Sequence, residues 1–314
     1  MTPLPKMCLP EWYNYCEAFL TLECNLSCPY CLNRYYGALP AVLMNDVRRK
    51  RLYVREMNDE HWVDALNRIE YREDLPITLG GGEPTARQDF YEIVRGIYHH
   101  NVDLLTNGVF NSLGFVENLK PEDFSVRACP YPPIRISCHC PLDRVKQSRA
   151  WQNASHLAFE GFRVGVYAIL AKEAWDVDAI RALAADAGAA WFDFRAKEFL
   201  GMRDGVLHGS YMYPEGLSGE PVGVTVQCRN NELLIAPTGT LFRCHRDLYK
   251  AELPAGHILD PDLRIQAEPR ECRSFGECHP CDMKLKTNRF QQDGNCSMRI
   301  EGYELFYDRD ARGL

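Results

Sequence analysis

Three cysteines stand in the run Cys24-Asn25-Leu26-Ser27-Cys28-Pro29-Tyr30-Cys31, so three soft thiolate ligands fall within eight residues. The apolar stretch from Phe19 to Glu23 reads as a strand, which makes the cysteines a loop delivered from a strand end. Such a loop can wrap one face of a cubane. A [4Fe-4S] cluster normally takes four cysteines, so three protein thiolates leave one iron open to a small chelating ligand. A structural zinc site would want four protein ligands, typically as two Cys-x-x-Cys pairs, and that pairing is not what stands here.

This Cys-x3-Cys-x2-Cys spacing after the first strand of a βα series resembles the radical S-adenosylmethionine (SAM) superfamily, in which the open iron chelates the methionine amino and carboxylate groups. A second segment, Gly80-Gly81-Gly82-Glu83-Pro84, follows the apolar stretch Ile77 to Leu79 and resembles the superfamily's Gly-Gly-Glu-Pro motif. Glycines let backbone approach a ligand closely, and a carboxylate such as Glu83 can support the ammonium of a bound amino acid. Alone, the same run would read as a Gly-rich turn.

The resemblance implies that Tyr30 packs on the adenine. Asn107 and Ser137, at the ends of the third and fourth strands, are the expected holders of ribose and carboxylate. Arg135 or Arg195 is the expected cation for that carboxylate. A surface turn for Asn107 and solvated charge for the arginines are the plain alternatives.

A second cysteine group, Cys228, Cys244, Cys272, Cys278, Cys281 and Cys296, places six thiols in 69 residues that offer little core of their own. A small module of this kind calls for a metal staple. Cys228 and Cys244 with Gly239 between them resemble the opening of the SPASM and twitch extensions, which hold auxiliary iron-sulfur clusters. The rest departs from the full SPASM pattern, because Cys272 precedes Cys278-His279-Pro280-Cys281. One cluster on Cys228, Cys244, Cys278 and Cys281 would leave Cys272 and Cys296 spare. Grouping Cys272, Cys278, Cys281 and Cys296 leaves Cys228 and Cys244 to a second, incompletely ligated cluster. Zinc is a further alternative, since Cys-x-x-Cys pairs serve both metals.

Cys138 and Cys140 flank His139 at the mouth of the fourth strand and belong to neither group. Packing is their ordinary role. In an enzyme that makes a carbon radical, a thiol aimed into the cavity can also return a hydrogen atom, which makes both of them candidate catalytic residues.

The elements that must position these groups follow from periodicity. Six strands end near Glu23, Leu79, Leu105, Ser137, Leu170 and Phe194, with amphipathic helices between them, the signature of βα units on a parallel sheet. Asn58 can cap a helix with Trp62, Val63, Leu66 and Ile69 on one face, and Phe90, Ile93, Val94 and Ile97 repeat that spacing. Asp176 opens another helix, with Val177, Ile180, Leu183 and Ala184 as its stripe and Gly188 as its stop.

The expected fold is α/β: residues 1–16 as an N-terminal extension, a partial (β/α)6 TIM-like barrel over 17–200, a Gly-rich linker over 201–225 and a Cys-rich α+β module over 226–314. That module opens with a hairpin, Glu232 to Ala236 and Thr240 to Arg243 around Pro237-Thr238-Gly239. Barrels of this type place their functional loops beyond the C-terminal strand ends, where the cysteines fall.

Composition agrees. Of 314 residues, 46% are apolar and 25% charged, and none of the apolar runs reaches the roughly 18 residues of a membrane span. Fourteen cysteines without a signal peptide point to a reduced cytoplasmic chain that uses them for metal. A net charge of −7 weakens any case for nucleic-acid binding, although Arg48, Arg49, Lys50, Arg51 and Arg55 form a local basic run that suits a solvated helix face or an acidic partner.

The resemblance implies an enzyme that reductively cleaves SAM, with a flavodoxin or ferredoxin as reductant and a 5'-deoxyadenosyl radical that takes a substrate hydrogen. A ribosomally made peptide or protein side chain is the first substrate class, to be oxidised, cross-linked or epimerised. A cyclitol or sugar dehydrogenase is the alternative, and a non-catalytic iron-sulfur redox carrier the different-class one. Only 23 residues precede Cys24, so a leader peptide would call for a separate binding protein.

Overall fold

The computed structural model describes residues 4–13, 15–26, 28, 31, 56–70, 72–73, 75–125, 132–139, 144–171, 177–203, 206–211, 224–266, 268–275 and 298–300. Its strands are β1 (Met7–Cys8), β2 (Tyr15–Thr21), β3 (Ile69–Glu70), β4 (Ile77–Gly81), β5 (Val102–Thr106), β6 (Ile134–His139), β7 (Val164–Ala171), β8 (Trp191–Arg203), β9 (Val206–Tyr211), β10 (Val224–Asn230), β11 (Glu232–Ile235), β12 (Thr240–Phe242), β13 (Gly256–His257), β14 (Arg270–Phe275) and β15 (Met298–Ile300). The helices are α1 (Asp59–Asn67), α2 (Phe90–Gly96), α3 (Ser112–Asn118), α4 (Arg144–Phe159), α5 (Val177–Asp186) and α6 (His245–Lys250). No helix among the described residues is long and apolar enough to cross a membrane.

Local sequence explains most helix ends. Asn58 caps α1 by accepting from the His61 N–H at 3.0 Å, a contact worth about 1 kcal/mol. That helix buries Trp62, Ala65 and Leu66, while Ile69, expected on the same stripe, has already passed into β3. Gly188 closes α5 with φ +73°, where a left-handed residue lets the Ala189 N–H reach the Ala184 carbonyl at 2.9 Å. Within α5, Ile180 and Ala184 are buried but Leu183 is exposed, so the apolar stripe is narrower than its spacing predicts. Asp176 lies outside the described residues.

The ten-stranded sheet runs β13-β12-β11-β2-β4-β5-β6-β7-β8-β9, and β2 with β4 through β8 are the six strands read from the sequence, parallel and in chain order. Two features depart from that reading. Part of the expected Gly-rich linker is strand, since β9 pairs antiparallel with β8. The hairpin expected to open a separate module extends this same sheet, with β11 parallel against β2, Glu232 to Tyr15 and Leu234 to Glu17. Gly239, at φ +86°, makes the hairpin turn. A smaller three-stranded sheet, β14-β10-β15, lies beyond it.

Strand alternation sorts the two faces. Ile77, Leu79, Val102, Leu104, Ile134 and Ile136 pack against Trp62, Leu66, Phe90, Ile93 and Phe115 on the helix side. Burying each large apolar side chain contributes about 1.5–3 kcal/mol. The opposite face is polar yet buried. Glu17, Thr78 and Asp103 are register neighbours on β2, β4 and β5, and Arg135 of β6 reaches Asp103 at 2.6 Å. Toward the hairpin, the same face turns apolar again, where Tyr15, Phe19, Leu234, Phe242, Leu248 and Tyr249 cluster under α6.

Candidate active site

The C-terminal ends of β2, β4 and β5 are tied into one hydrogen-bonded unit. The Gly82 N–H donates to the Thr21 carbonyl at 2.7 Å, and the Glu83 N–H to the Glu23 carbonyl at 2.8 Å. The glycine run therefore lies directly on the chain that delivers Cys24. A Cβ at Gly81 would strike the Thr21 carbonyl, and one at Gly82 the Glu23 and Leu22 carbonyls, so these glycines serve a backbone-on-backbone approach.

Glu83 is fully buried and its carboxylate faces donors of this chain. Oε1 accepts from the Thr85 hydroxyl at 2.6 Å, the Thr106 hydroxyl at 2.8 Å and the Thr85 N–H at 3.2 Å. Oε2 accepts from the Asn107 N–H at 2.7 Å. Burial raises the Glu83 pKa above the ordinary carboxylate value, and these hydrogen bonds pull it back toward the charged form. The carboxylate thus joins the end of β4 to the end of β5.

Asn107 carries the connection on to the cysteines. Its side-chain amide donates to Asn25 Oδ1 at 2.8 Å and to Cys24 Sγ at 3.5 Å, and its Oδ1 accepts from the Val109 N–H at 2.8 Å. The Leu26 N–H reaches Cys24 Sγ at 3.4 Å as well. Two N–H groups on one sulfur suit a thiolate or cluster ligand. Partial burial pushes the Cys24 thiol pKa up; the Leu26 N–H draws it down, Glu83 adds to the rise and the Asn107 amide opposes it.

Leu26 and Cys28 are buried, with Cys31, Val109 and Tyr167 packed against them, so the loop leans on the β5 turn and on β7. The Cys31 N–H closes a turn onto the Cys28 carbonyl at 3.1 Å. Among the described residues no three His, Cys, Asp or Glu side chains meet closely enough to hold one metal ion. A cubane asks for something else, with its thiolates on separate irons, and three thiols on a strand-end loop have the donor chemistry for it.

Residues 19–127 match the family described as the Radical SAM superfamily. The chain carries a radical SAM domain. That match indicates an enzyme, and the matched family implies a [4Fe-4S] cluster and SAM. Among curated relatives, the mycofactocin maturase MftC of Mycobacterium tuberculosis (strain ATCC 25618 / H37Rv) is 24% identical over 313 residues, covering 83% of this chain and 74% of its own. The PqqA peptide cyclase of Methylobacterium nodulans is 39% identical over 107 residues, 32% of this chain and 24% of that one. A solved structure of BtrN in complex with AdoMet and 2-DOIA aligns at TM-score 0.34 and 13% identity over 78% of each chain.

Around the radical SAM domain's strand ends, the remaining residues singled out from the sequence fall in different places. Ser137 is half-buried and stands two residues beyond Arg135 on β6. Arg135, expected to be available to a ligand carboxylate, is held by Asp103. Arg195 lies in β8 opposite Ile169. Cys138 corrects an expectation: it packs with Val166, Ile180 and Ala184 on the helix-facing side, away from the face that carries Arg135. A one-residue change of parity along a strand reverses the face, and that places the thiol in apolar packing instead of aiming it at a cavity. Tyr30, Cys140, Cys278, Cys281, Cys296 and the basic run at 48–55 lie outside the described residues.

Several functional-looking groups carried no sequence signal. Arg87 is a clamp: it donates to the Leu20 and Met57 carbonyls at 2.9 Å each, to Glu56 at 3.0 Å and to Asp89 at 2.8 and 2.6 Å. Thr21 donates to the same Glu56 at 2.8 Å, so the last turn before Cys24 is braced from outside. At the start of α6, His245 sits between two buried carboxylates, Glu232 at 3.1 Å and Glu17 at 3.6 Å, with the Tyr15 hydroxyl donating to Glu17 at 2.5 Å. Only strand pairing across more than two hundred residues brings Glu17 and His245 together.

At the hairpin, Cys228 and Cys244 are both buried. Arg270 donates to Cys244 Sγ at 3.7 Å and stands opposite Cys228 in the β10–β14 ladder. Cys272 lies two residues beyond Arg270 on β14, paired with Val226, and therefore on the face that Cys228 and Arg270 share.

Proposed function

We propose that this enzyme modifies a ribosomally made peptide or protein side chain, by oxidation, cross-linking or epimerisation, in the cytoplasm. The observation that carries the reading is the continuous hydrogen-bonded path from Cys24 through Asn107 to Glu83, which makes the two motifs one site at adjacent strand ends. The name of one relative, the PqqA peptide cyclase, supports a peptide substrate.

In this reading residues 17–200 form a partial (β/α)6 barrel and residues 226–314 a SPASM/twitch-like module that follows the 201–225 segment. Cys24, Cys28 and Cys31 hold the first [4Fe-4S] cluster and leave one iron for SAM. Reduced by a flavodoxin or ferredoxin, a cluster held there would supply the electron for reductive cleavage of SAM to methionine and a 5'-deoxyadenosyl radical, and that radical would take a substrate hydrogen. Gly81 and Gly82 keep the β4 end close to Cys24, and Glu83 fixes Asn107, whose amide steadies Cys24 and Asn25. Glu83 then acts on the SAM ammonium through the backbone it orients, and Tyr30 packs on the adenine. Ser137 lies on the side that receives the SAM ribose and carboxylate, with Arg135 or Arg195 as the cation for that carboxylate. Cys228 and Cys244, with partners among Cys272, Cys278, Cys281 and Cys296, hold one or two auxiliary clusters. A separate protein would present the peptide leader.

The test is anaerobic reconstitution with iron and sulfide counted, then dithionite and SAM with 5'-deoxyadenosine as readout. Wild type should form it and the Cys24→Ala/Cys28→Ala/Cys31→Ala variant should not. Wild type that forms none with a full iron complement would sink the reading. Adding candidate peptides encoded beside the gene then checks the substrate class, by mass change of the peptide.

A further inference from the structure

The turn that follows β5 touches two things at once. On one side, the Val109 carbonyl accepts from the Asn25 side-chain amide at 2.5 Å, and Val109 packs against Leu26 and Cys28 of the cysteine loop. On the other, the Asn153 side chain of α4 donates to the Gly108 and Phe110 carbonyls at 2.8 and 2.9 Å. Helix α4 is thereby fastened to the chain that meets Cys24. Between α4 and the start of α3 lies an open notch of about 670 Å³, lined by Ser112 and Leu113 from one and by Ser148, Arg149, Gln152 and His156 from the other. Asn111 also lines it. That residue is four past Asn107, the donor to Cys24 Sγ, and four residues span at most about 14 Å.

The charge here runs against that of the chain. The protein has 43 acidic residues and 36 Lys and Arg, yet α4 carries Arg144, Lys146 and Arg149 and no Asp or Glu in its 16 residues. None of the described residues that line the notch is a carboxylate; Glu160, 3.7 Å from His156 Nε2, follows the end of α4. Arg149 is exposed and has no ion-pair partner among the described residues. Cations in a first turn, as Arg144 and Lys146 are, oppose the helix dipole, so they do not serve the stability of α4 itself. Leu113, 63% exposed, adds an apolar contact point on the facing helix. Cationic groups around a small apolar point suit an acidic protein partner, whose approach they steer and whose orientation they set.

We propose that the notch between α3 and α4 is the docking surface of the reductant, an acidic protein that carries a one-electron donor near its own surface. This rests on the proposed function, in which a cluster on Cys24, Cys28 and Cys31 needs an external electron. The carrier is oxidised by one electron, the cluster passes from [4Fe-4S]2+ to [4Fe-4S]+, and no bond is formed or broken and no proton is exchanged. Arg149 and Leu113 act in partner binding alone. The turn from Asn107 to Asn111 places the docked donor beside the cysteine loop.

The test compares two electron sources on the reconstituted full-length enzyme. With dithionite, which needs no docking, Arg149→Glu and Arg149→Glu/Leu113→Ser should form 5'-deoxyadenosine within about twofold of wild type. With prereduced flavodoxin, and with ferredoxin in a parallel series, Arg149→Glu should lose about tenfold and the double variant more. Binding of the oxidised carrier, measured by calorimetry at low salt, should weaken by the same factor, and the difference should shrink at about 0.5 M salt. Arg149→Lys, which keeps the charge, should bind within about threefold of wild type. Equal carrier binding by wild type and Arg149→Glu overturns the inference, and so does an equal loss of activity with dithionite. A wild type that turns over with dithionite and binds neither carrier overturns it as well. Weakened peptide binding with carrier binding intact would give the notch to the substrate and overturn it too. A wild type that forms no 5'-deoxyadenosine with dithionite fails the proposed function itself, while the binding comparison still decides the docking surface.

Discussion

The two cysteine regions sit in opposite electrostatic surroundings. The Cys24 sulfur meets two neutral N–H donors, and a buried carboxylate, Glu83, accepts from the backbone N–H of Asn107, the residue that supplies one of them. Cys228 and Cys244 are buried; the Arg270 guanidinium donates to the Cys244 sulfur and stands opposite Cys228, whose thiol donates to Asn230 Oδ1 at 3.7 Å. A cluster on Cys24 would be harder to reduce for the carboxylate behind it, and one beside Arg270 would be easier. The same ligand atom is thus set in two different charge environments. Charge placed on neighbouring strands makes the difference.

The strongest way to break this comparison is to remove the first site outright. Cys24→Ala/Cys28→Ala/Cys31→Ala should abolish 5'-deoxyadenosine formation, about a thousandfold or more, while about four irons per auxiliary cluster stay bound. Chromatography of the nucleoside products, paired with an iron assay, reads both. Complete loss of iron would remove the second site from the comparison.

Next in size is Gly82→Ala. The new Cβ would meet the Glu23 and Leu22 carbonyls and push the β2 end that carries Cys24, a displacement of the kind that costs about a hundredfold in rate. Single-turnover cleavage of SAM measures it, and activity within about threefold of wild type would refute the close-approach role.

Glu83→Ala should be felt in stability as well as rate. It leaves the Thr85, Thr106 and Asn107 donors unpaired in a buried position, for about 3 kcal/mol, read as a lower urea midpoint. Glu83→Gln sharpens the point, because it keeps the volume and removes the charge that the comparison depends on.

Asn107→Ala is a smaller change, about 1 kcal/mol of stability, with the first cluster's midpoint falling because a hydrogen bond to its sulfur is lost. The smallest effect is expected at Cys138. Substituted by alanine, it should cost about 1 kcal/mol from lost packing and leave the product distribution unchanged by mass spectrometry. Deuterium incorporation from solvent that disappears in Cys138→Ala would restore the hydrogen-donor role.

Much of this was legible in the chain itself, because it depends on neighbours along it. The six parallel strands follow from apolar runs, the α1 start from Asn58, the hairpin from Pro237-Thr238-Gly239, and the cluster loop from cysteine spacing alone. Each is a short-range property, set by a few residues' torsions and side chains.

What only the tertiary structure decided depends on pairings between distant residues. The sequence has no mark to say that β11 would add onto β2, bringing His245 to Glu17, or that Cys138 would face the helices while Ser137 faced away. Likewise Arg270 reads as an ordinary charge on a strand until the β10–β14 ladder sets it opposite Cys228 and beside the Cys244 sulfur. Strand parity and register are settled by the packing of whole faces, and charge acquires its energetic meaning only once water has been excluded around it.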